Sequence, residues 1–391
     1  MKKFLIGDRI VETEPMQLRT VGGEILPIRA QSLKVLEYFT THPNEVISRD
    51  ALVEAVWPGV VVTNESLTQC IRDLRRAFGS YGKEIIQTEY RRGYRFNTSQ
   101  ATKIATEVPQ FSDFEQQVGH TVSEDGTQIC YAVAGSGPVL VRAPHWMTHI
   151  DYDWCSEIYG PLLCRFAKDL TLVRFDARGT GRSQRNIGPG ALDDWVADMR
   201  AVMVATGFDR YCLLGGSAGA QPVVKYAATY PESVSSLILL GGIGRGQLHR
   251  GVSEEHVAAF AQLVRDGWAQ KNPAFRQLMT TGLWPDASRS ILESFNELQR
   301  MSSDPETAAR LLEEVAKTTV EPFYSMVQAP TLLVHSLHDE RAPYTESELA
   351  AQLIPNASLY PLESTSHTPV WSEPAFEVMM RAIIDFATAN S

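Results

Sequence analysis

Five short apolar runs constrain this chain more than any other feature. They are "VLVRA" (139–143), "LTLVRFD" (170–176), "YCLLGG" (211–216), "SLILLGG" (236–242) and "TLLVHS" (331–336). Each is too short for a helix and apolar without alternation, the pattern of a strand buried on both faces. Between the first four lie segments of helical length and period, such as "ALDDWVADMRAVMVATG" and "AQPVVKYAATYP". Buried strands alternating with helices imply a parallel sheet covered by helices, an α/β fold. Ahead of it, "QQVGHTVSEDGTQICYAVAGSGP" reads as a hairpin turned at Asp125-Gly126.

The first hundred residues follow a different rule. Phe4 to Ile28 has short apolar stretches broken by turn residues such as Gly22-Gly23, and reads as weak strands. From Ala30, Leu33, Leu36 and Phe39 fall at helical spacing, and Pro43 follows the stop. "SRDALVEAVWPG" is a second helix, capped by Ser48 and ended by Pro58-Gly59. "TNESLTQCIRDLRRAFG" is a third, capped by Thr63 or Asn64 and closed by Gly79. Its Leu67, Ile71, Leu74 and Phe78 share one face, while Thr68, Arg72, Arg75 and Arg76 gather on another. "IIQTEYRRGYRF" then reads as a hairpin with Arg91 and Arg92 near its tip. A lone surface arginine is ordinary. A basic helix followed by a basic-tipped hairpin can set one element in a major groove and the other against a neighbouring phosphate. Thr68, Arg72, Arg75, Arg76, Arg91 and Arg92 are therefore the expected DNA contacts.

Charge supports that division. Lys and Arg outnumber Asp and Glu by 14 to 12 in residues 1–98, whereas acids outnumber bases by 34 to 22 in the remainder. The acidic remainder would repel nucleic acid, so DNA contact belongs to the N-terminal part. The stretch from about 99 to 116 lacks periodicity and is rich in Ser, Thr and Gln, which marks a linker. The expected domains are thus 1–98, a linker over 99–116, and 117–391. No run approaches eighteen apolar residues, and the opening apolar run breaks at Gly7-Asp8, so neither a membrane span nor a signal peptide is expected. Five dispersed cysteines without CxxC pairs suggest reduced thiols and a cytoplasmic protein.

The chemistry concentrates in "LLGGSAGAQ", 213–221. Gly215 and Gly219 flank Ser217 in a Gly-x-Ser-x-Gly pattern at a strand-to-helix junction, the setting of a nucleophile elbow. Asp339 follows a strand end, and His367 lies in the loop before the last helix. Ser, Asp and His in that order can form a triad. His367 would take the Ser217 proton, and Asp339 would orient and stabilise the imidazole. His145, His149 and Asp151 have a spacing that could suggest metal ligands, but they follow a strand in a loop and lack a fourth partner. No metal or cofactor is expected. His145, His149 and Trp154 are instead expected to line a pocket mouth.

Two resemblances add to this reading. "VWPGVVVTNESLTQCIRDLRRAFG" followed by "IIQTEYRRGYRF" resembles the OmpR/PhoB-type winged helix-turn-helix of CadC- and ToxR-like regulators, over about residues 4–97. The resemblance implies that Asn64–Phe78 is the recognition helix and Gln87–Phe96 the wing. No receiver domain precedes it in this sequence, so control is expected from elsewhere. Residues 119 to 388 resemble the α/β-hydrolase superfamily through the elbow, through "FDARGTGRS" (Phe175–Ser183) and through "YPESVSSLILLGG". That resemblance implies the triad Ser217, Asp339 and His367, and a helical cap over about 245–321. It also implies oxyanion donors at the Ala218 and Trp146 N–H groups. Where the superfamily usually has His-Gly-x, this chain has Pro144-His145-Trp146. Losing one oxyanion donor can cost roughly 2.7–4 kcal/mol of barrier.

The expected architecture is multidomain: an α+β winged helix, then an α/β-hydrolase fold with a helical cap. Three functions follow. One is a transcriptional regulator, a homodimer on double-stranded DNA, whose second domain senses and slowly hydrolyses a small molecule. Another is an active serine esterase or amidase with an attached DNA-binding module. The last is a degenerate hydrolase serving as a dimerisation scaffold.

Overall fold

A computed structural model describes residues 3–6, 9–13, 16–20, 26–59, 62, 64–89, 92–97, 101–103, 115–270 and 272–391. The chain divides into two compact units, Met1–Gln110 and Phe111–Ser391.

The N-terminal unit opens with β1 (Lys3–Ile6), β2 (Arg9–Thr13) and β3 (Met16–Thr20), paired antiparallel. Three helices follow: α1 (Ala30–Thr41), α2 (Arg49–Val56) and α3 (Asn64–Ala77), with β4 (Val46–Ile47) between the first two. Ser48 caps α2 as its sequence implies, accepting from the Ala51 N–H at 3.1 Å. The expected caps of α3 and the Gly22-Gly23 turn fall outside the described residues or side chains. After α3 come a short α4 (Gly82–Ile85), then β5 (Ile86–Glu89) and β6 (Gly93–Phe96), which pair antiparallel, with β4 on the other side of β6. Leu36, Phe39, Leu52, Leu67, Ile71, Leu74 and Phe96 belong to the core, so the apolar faces read from the sequence meet here, except that Leu33 is half-buried outside the cluster.

Residues Ala101–Lys103, placed in the linker by composition, form β7 and pair antiparallel with β1. Backbone hydrogen bonds hold that strand, and such bonds leave little mark on composition.

The C-terminal unit is built on an eight-stranded sheet of order β15-β14-β13-β12-β10-β11-β9-β8. The strands are β8 (Gln117–Val122), β9 (Gln128–Ala134), β10 (Val139–Arg142), β11 (Thr171–Phe175), β12 (Tyr211–Gly216), β13 (Val234–Leu240), β14 (Thr331–Ser336) and β15 (Ala357–Leu362). The hairpin β8–β9 is antiparallel, as is β9 against β11, and the remaining pairs are parallel. All five apolar runs are therefore sheet strands. The strand β15 escapes a pattern search because it alternates at the sheet edge and contains Pro361, a residue that edges tolerate.

Helices α5 (Ile150–Cys155), α6 (Tyr159–Asp169), α7 (Leu192–Thr206), α8 (Ala220–Thr229), α13 (Tyr344–Leu353) and α14 (Pro374–Ala389) accompany the sheet. Between β13 and β14 the chain leaves it to form α9 (Glu254–Gly267), α10 (Ala274–Leu283), α11 (Arg289–Ser302) and α12 (Pro305–Lys317). The two ends of this excursion are pinned together. Gly246 N–H donates to Thr318 O at 2.8 Å and Val320 N–H to Gly244 O at 2.9 Å. Trp268 is fully buried among Val264, Ala308 and Leu312, so it is core and not pocket wall. Among the described residues, no helix is long and apolar enough to cross a membrane.

Candidate functional site

Ser217 stands where β12 turns into α8, at the head of a 3-10 turn spanning Ser217–Gly219. Its φ is +51°, a left-handed conformation that L residues disfavour. The two flanking glycines have steric reasons. A Cβ on Gly215 would come within 2.6 Å of Gly219 O and 2.9 Å of the Ala220 Cα. A Cβ on Gly219 would come within 2.8 Å of Pro144 O. The elbow therefore needs a small residue at each side, one where strand meets helix and one where the Pro144-His145-Trp146 loop packs on it. Ala218 is second in the 3-10 turn, so its N–H has no acceptor within that turn.

Behind the elbow lies a connected polar chain. His367 Nδ1 donates to Asp339 Oδ2 at 2.6 Å, with both side chains buried. Asp339 Oδ1 accepts from the N–H groups of Arg341 at 2.8 Å and Ala342 at 3.1 Å. Burial alone would raise the Asp339 carboxyl. The hydrogen bonds from His335 and His367 and the backbone outweigh it and hold the group well below the usual carboxylate range. His335 was not anticipated from the sequence. Its Nε2 faces Ala342 O at 2.7 Å and Asp339 Oδ2 at 3.3 Å, both acceptors, so Nε2 carries the proton. The signal was available: His335 is the one ionisable residue in the apolar run 331–336, four residues before Asp339. His367 Nε2 is buried and makes no hydrogen bond among the described residues.

Ser217, Ala218, His367, His145 and Trp146 line one cavity of about 360 Å³, walled on the far side by Phe260, Met279 and Trp284 from the helical excursion. That volume suits a small molecule, for which pockets run roughly 300–1,000 Å³. His145 is held within it. Arg142 Nη2 donates to His145 Nδ1 at 3.0 Å, which leaves the imidazole proton on Nε2. Burial, reinforced by the Arg142 charge, keeps this imidazole neutral by moving its pKa well below 6.5.

The structure does not bring His149 and Trp154 to the cavity, which corrects that expectation. His149 is the N-cap of α5: its Nδ1 accepts from the Asp151 N–H at 3.3 Å and the Tyr152 N–H at 3.4 Å. Trp154 is buried in the sheet-side core with the Arg174 guanidinium 5.4 Å over its ring. Helix α5 takes His149 as its half-buried cap and turns Trp154 into the core, roles that loop-like spacing could not reveal. The "FDARGTGRS" loop is a clasp: Arg178 grips Asp198 at 2.8 and 2.6 Å, and Asp176 Oδ2 accepts from the Arg182 N–H at 2.8 Å.

On the N-terminal unit, Arg72, Arg76 and Arg92 are exposed and Thr68 is half-buried on α3. Arg91 lies outside the described residues. Arg75 is engaged inside the unit instead of facing outward. Its Nε donates to Ile86 O at 2.9 Å and its Nη2 to Thr88 Oγ1 at 2.8 Å, which ties β5 to α3.

Residues 149–374 match the family described as alpha/beta hydrolase fold. The chain belongs to that family. Residues 23–96 match the family described as transcriptional regulatory protein, C terminal, so the hydrolase-fold unit follows a winged-helix DNA-binding module. The chain is 26% identical over 247 residues to a putative carbamate hydrolase RutD of Azorhizobium caulinodans, covering 61% of this chain and 87% of that protein. It is 26% identical over 289 residues to a 2-hydroxy-6-oxononadienedioate/2-hydroxy-6-oxononatrienedioate hydrolase 2 of Pseudomonas putida, covering 70% and 92%. Among solved structures, an esterase from Exiguobacterium antarcticum superposes with a TM-score of 0.59 at 19% identity, covering 68% of this chain and 98% of that one, a likeness of fold.

Proposed function

We propose that this protein is a DNA-binding regulator, dimeric on its operator, whose hydrolase-fold domain binds a small molecule beside Ser217 and turns it over slowly. The observation that carries the reading is the single cavity shared by Ser217, Ala218, His367 and the cap helices. It gives a ligand a site of small-molecule size in a chain whose other unit is a DNA-binding module. The unengaged His367 Nε2 fits a site where binding is established before proton transfer. For the ligand to regulate, it must bind the DNA-competent and DNA-incompetent states with different affinity. In this scheme Arg72 and Arg76 read the major groove, and Arg91 and Arg92 neutralise phosphates at the wing.

A second reading, an active esterase or amidase, draws support from the 2.6 Å His367–Asp339 bond and from two N–H groups, those of Ala218 and Trp146, on residues of the cavity wall. One experiment addresses both. The full chain is treated with an uncharged alkyl fluorophosphonate, and its affinity for a duplex selected from random DNA is measured at fixed salt. Ser217→Ala, treated alike, is the control. Labelling of Ser217 supports a competent nucleophile. A shift in duplex affinity of about fivefold or more on labelling supports regulation. Unchanged affinity of fully labelled protein overturns the regulatory reading, and failure of the folded protein to label overturns the enzymatic one.

A further inference from the structure

The Ser217 cavity is apolar over most of its wall, yet three arginines line it, Arg142, Arg250 and Arg341. Among the described residues, no Asp or Glu lines it. The acids near enough to act on these cations are already engaged. Asp153 acts on Arg142 through space but is bound to Arg174 at 3.5 Å. Glu346 acts on Arg250 but pairs with Arg245 at 2.7 Å. Asp339 acts on Arg250 and Arg341 but is bonded to His367 at 2.6 Å.

None of the three arginines has a carboxylate of its own within 4.0 Å among the described residues. Arg142, only 7% exposed, rests on the Tyr159 ring at 4.9 Å and spends one N–H on His145. The Arg250 Nε and the His145 Nε2, a donor by its tautomer, are buried without a partner. Arg250 and Arg341 are half-buried, and cations and donors withdrawn from water in this way are unfavourable unless an acceptor of opposite charge completes them. A carboxylate is the planar, bidentate match for a guanidinium.

Resting on the small-molecule reading above, we infer that the ligand is an organic acid: a carboxylate anion carried on an apolar body, its charge met by the Arg142, Arg250 and Arg341 set and its body by the cap. The apolar wall explains why an inorganic anion would not suffice, and the arginines explain why a neutral lipid-like molecule would bind less well. A resting charge of this sign also gives the domain a way to discriminate an acid from its own ester or amide.

The test uses the full chain and two isosteric probes, octanoate and octanamide, titrated calorimetrically at neutral pH and fixed salt. Octanoate should bind at least tenfold more tightly than octanamide. Arg250→Met and Arg341→Met should each lose most of that preference while octanamide affinity stays the same, which also shows the cavity intact. Arg341→Lys should keep part of the preference, since it keeps the charge. Equal or tighter binding of octanamide overturns the inference and leaves the small-molecule reading standing. A preference that survives both methionine variants places the anion elsewhere and overturns it too. If neither probe binds at millimolar concentration the inference falls, and labelling of Ser217 by the uncharged fluorophosphonate then decides separately whether the cavity admits small molecules at all.

Discussion

Replacing Ser217 by glycine should stabilise the hydrolase-fold unit while abolishing any reaction at this position. Ser217 sits at φ +51°, where a side chain costs roughly 1–2 kcal/mol. Glycine removes that cost but brings a larger unfolded-state entropy, about 0.5–1 kcal/mol. The balance favours Ser217→Gly by about 1 kcal/mol. Ser217→Ala is the necessary reference, because it deletes the hydroxyl but keeps the Cβ and hence the strain. The Ile243 N–H donates to Ser217 O at 2.9 Å through the backbone, so neither substitution disturbs that bond. For a unit spanning Phe111–Ser391 the difference corresponds to roughly 1.5–2 °C in melting temperature. Scanning calorimetry of the three proteins at one pH reads it directly. A Ser217→Gly protein that melts with or below Ser217→Ala would refute the claim that the elbow stores strain at this residue.

Four other outcomes are expected. Gly282 lines the cavity, and a Cβ there meets nothing within 4 Å. Gly282→Leu should therefore raise stability by about 1 kcal/mol through helix propensity while blocking fluorophosphonate labelling, as a combined melting and labelling assay would show. Arg72→Ala should weaken specific DNA binding by about 1–3 kcal/mol and relax base choice, whereas Arg92→Ala should weaken all sequences alike and lower the salt slope by about 0.9, both read by anisotropy titrations. Arg75→Ala should destabilise the N-terminal unit by about 1–3 kcal/mol, because it leaves Ile86 O without its charged donor, a loss that urea denaturation followed by DNA titration separates from base reading. The His149 imidazole, lowered to about 4 from 6.5 by burial and then by Arg185, Arg182 and Arg174, binds fewer protons folded than unfolded. Its contribution is thus present above about pH 6.5 and is lost at up to about 1.4 kcal/mol per pH unit as the pH falls towards 4. Asp153 and Asp176, with carboxyls raised by burial to about 6 and about 7, act in the opposite sense over the same range. The His149 contribution is therefore read as the difference between the wild type and His149→Asn in denaturation at pH 5 and pH 7.

The legibility of this protein differed from residue to residue for identifiable reasons. Strands β10 to β14 were readable because a strand buried on both faces must be apolar throughout. The α1–α3 helices were readable because one face of each is core. The elbow was readable because steric crowding restricts Gly215 and Gly219 to small residues, so the constraint is written locally. In contrast, β7 and β15 carry no such mark, one held by backbone pairing and the other an edge strand with a proline. His149 and Arg75 were misplaced for a related reason. Their residue types suit ligand or DNA contact equally well as a helix cap or a strand tie, and only the direction of the side chain separates these roles.

By itself, the sequence determined the buried strands β10 to β14, the helices α1 to α3, and which three residues stand in triad order. Those properties follow from local periodicity and local sterics. Tertiary structure alone decided that His335 supports Asp339, that His145 presents its Nε2 proton, and that Arg142, Arg250 and Arg341 reach one cavity without a carboxylate on its wall. Those residues come from a sheet strand, the start of the cap and the loop after β14. Their electrostatics depend on distances through space, and no pattern along the chain encodes the sum.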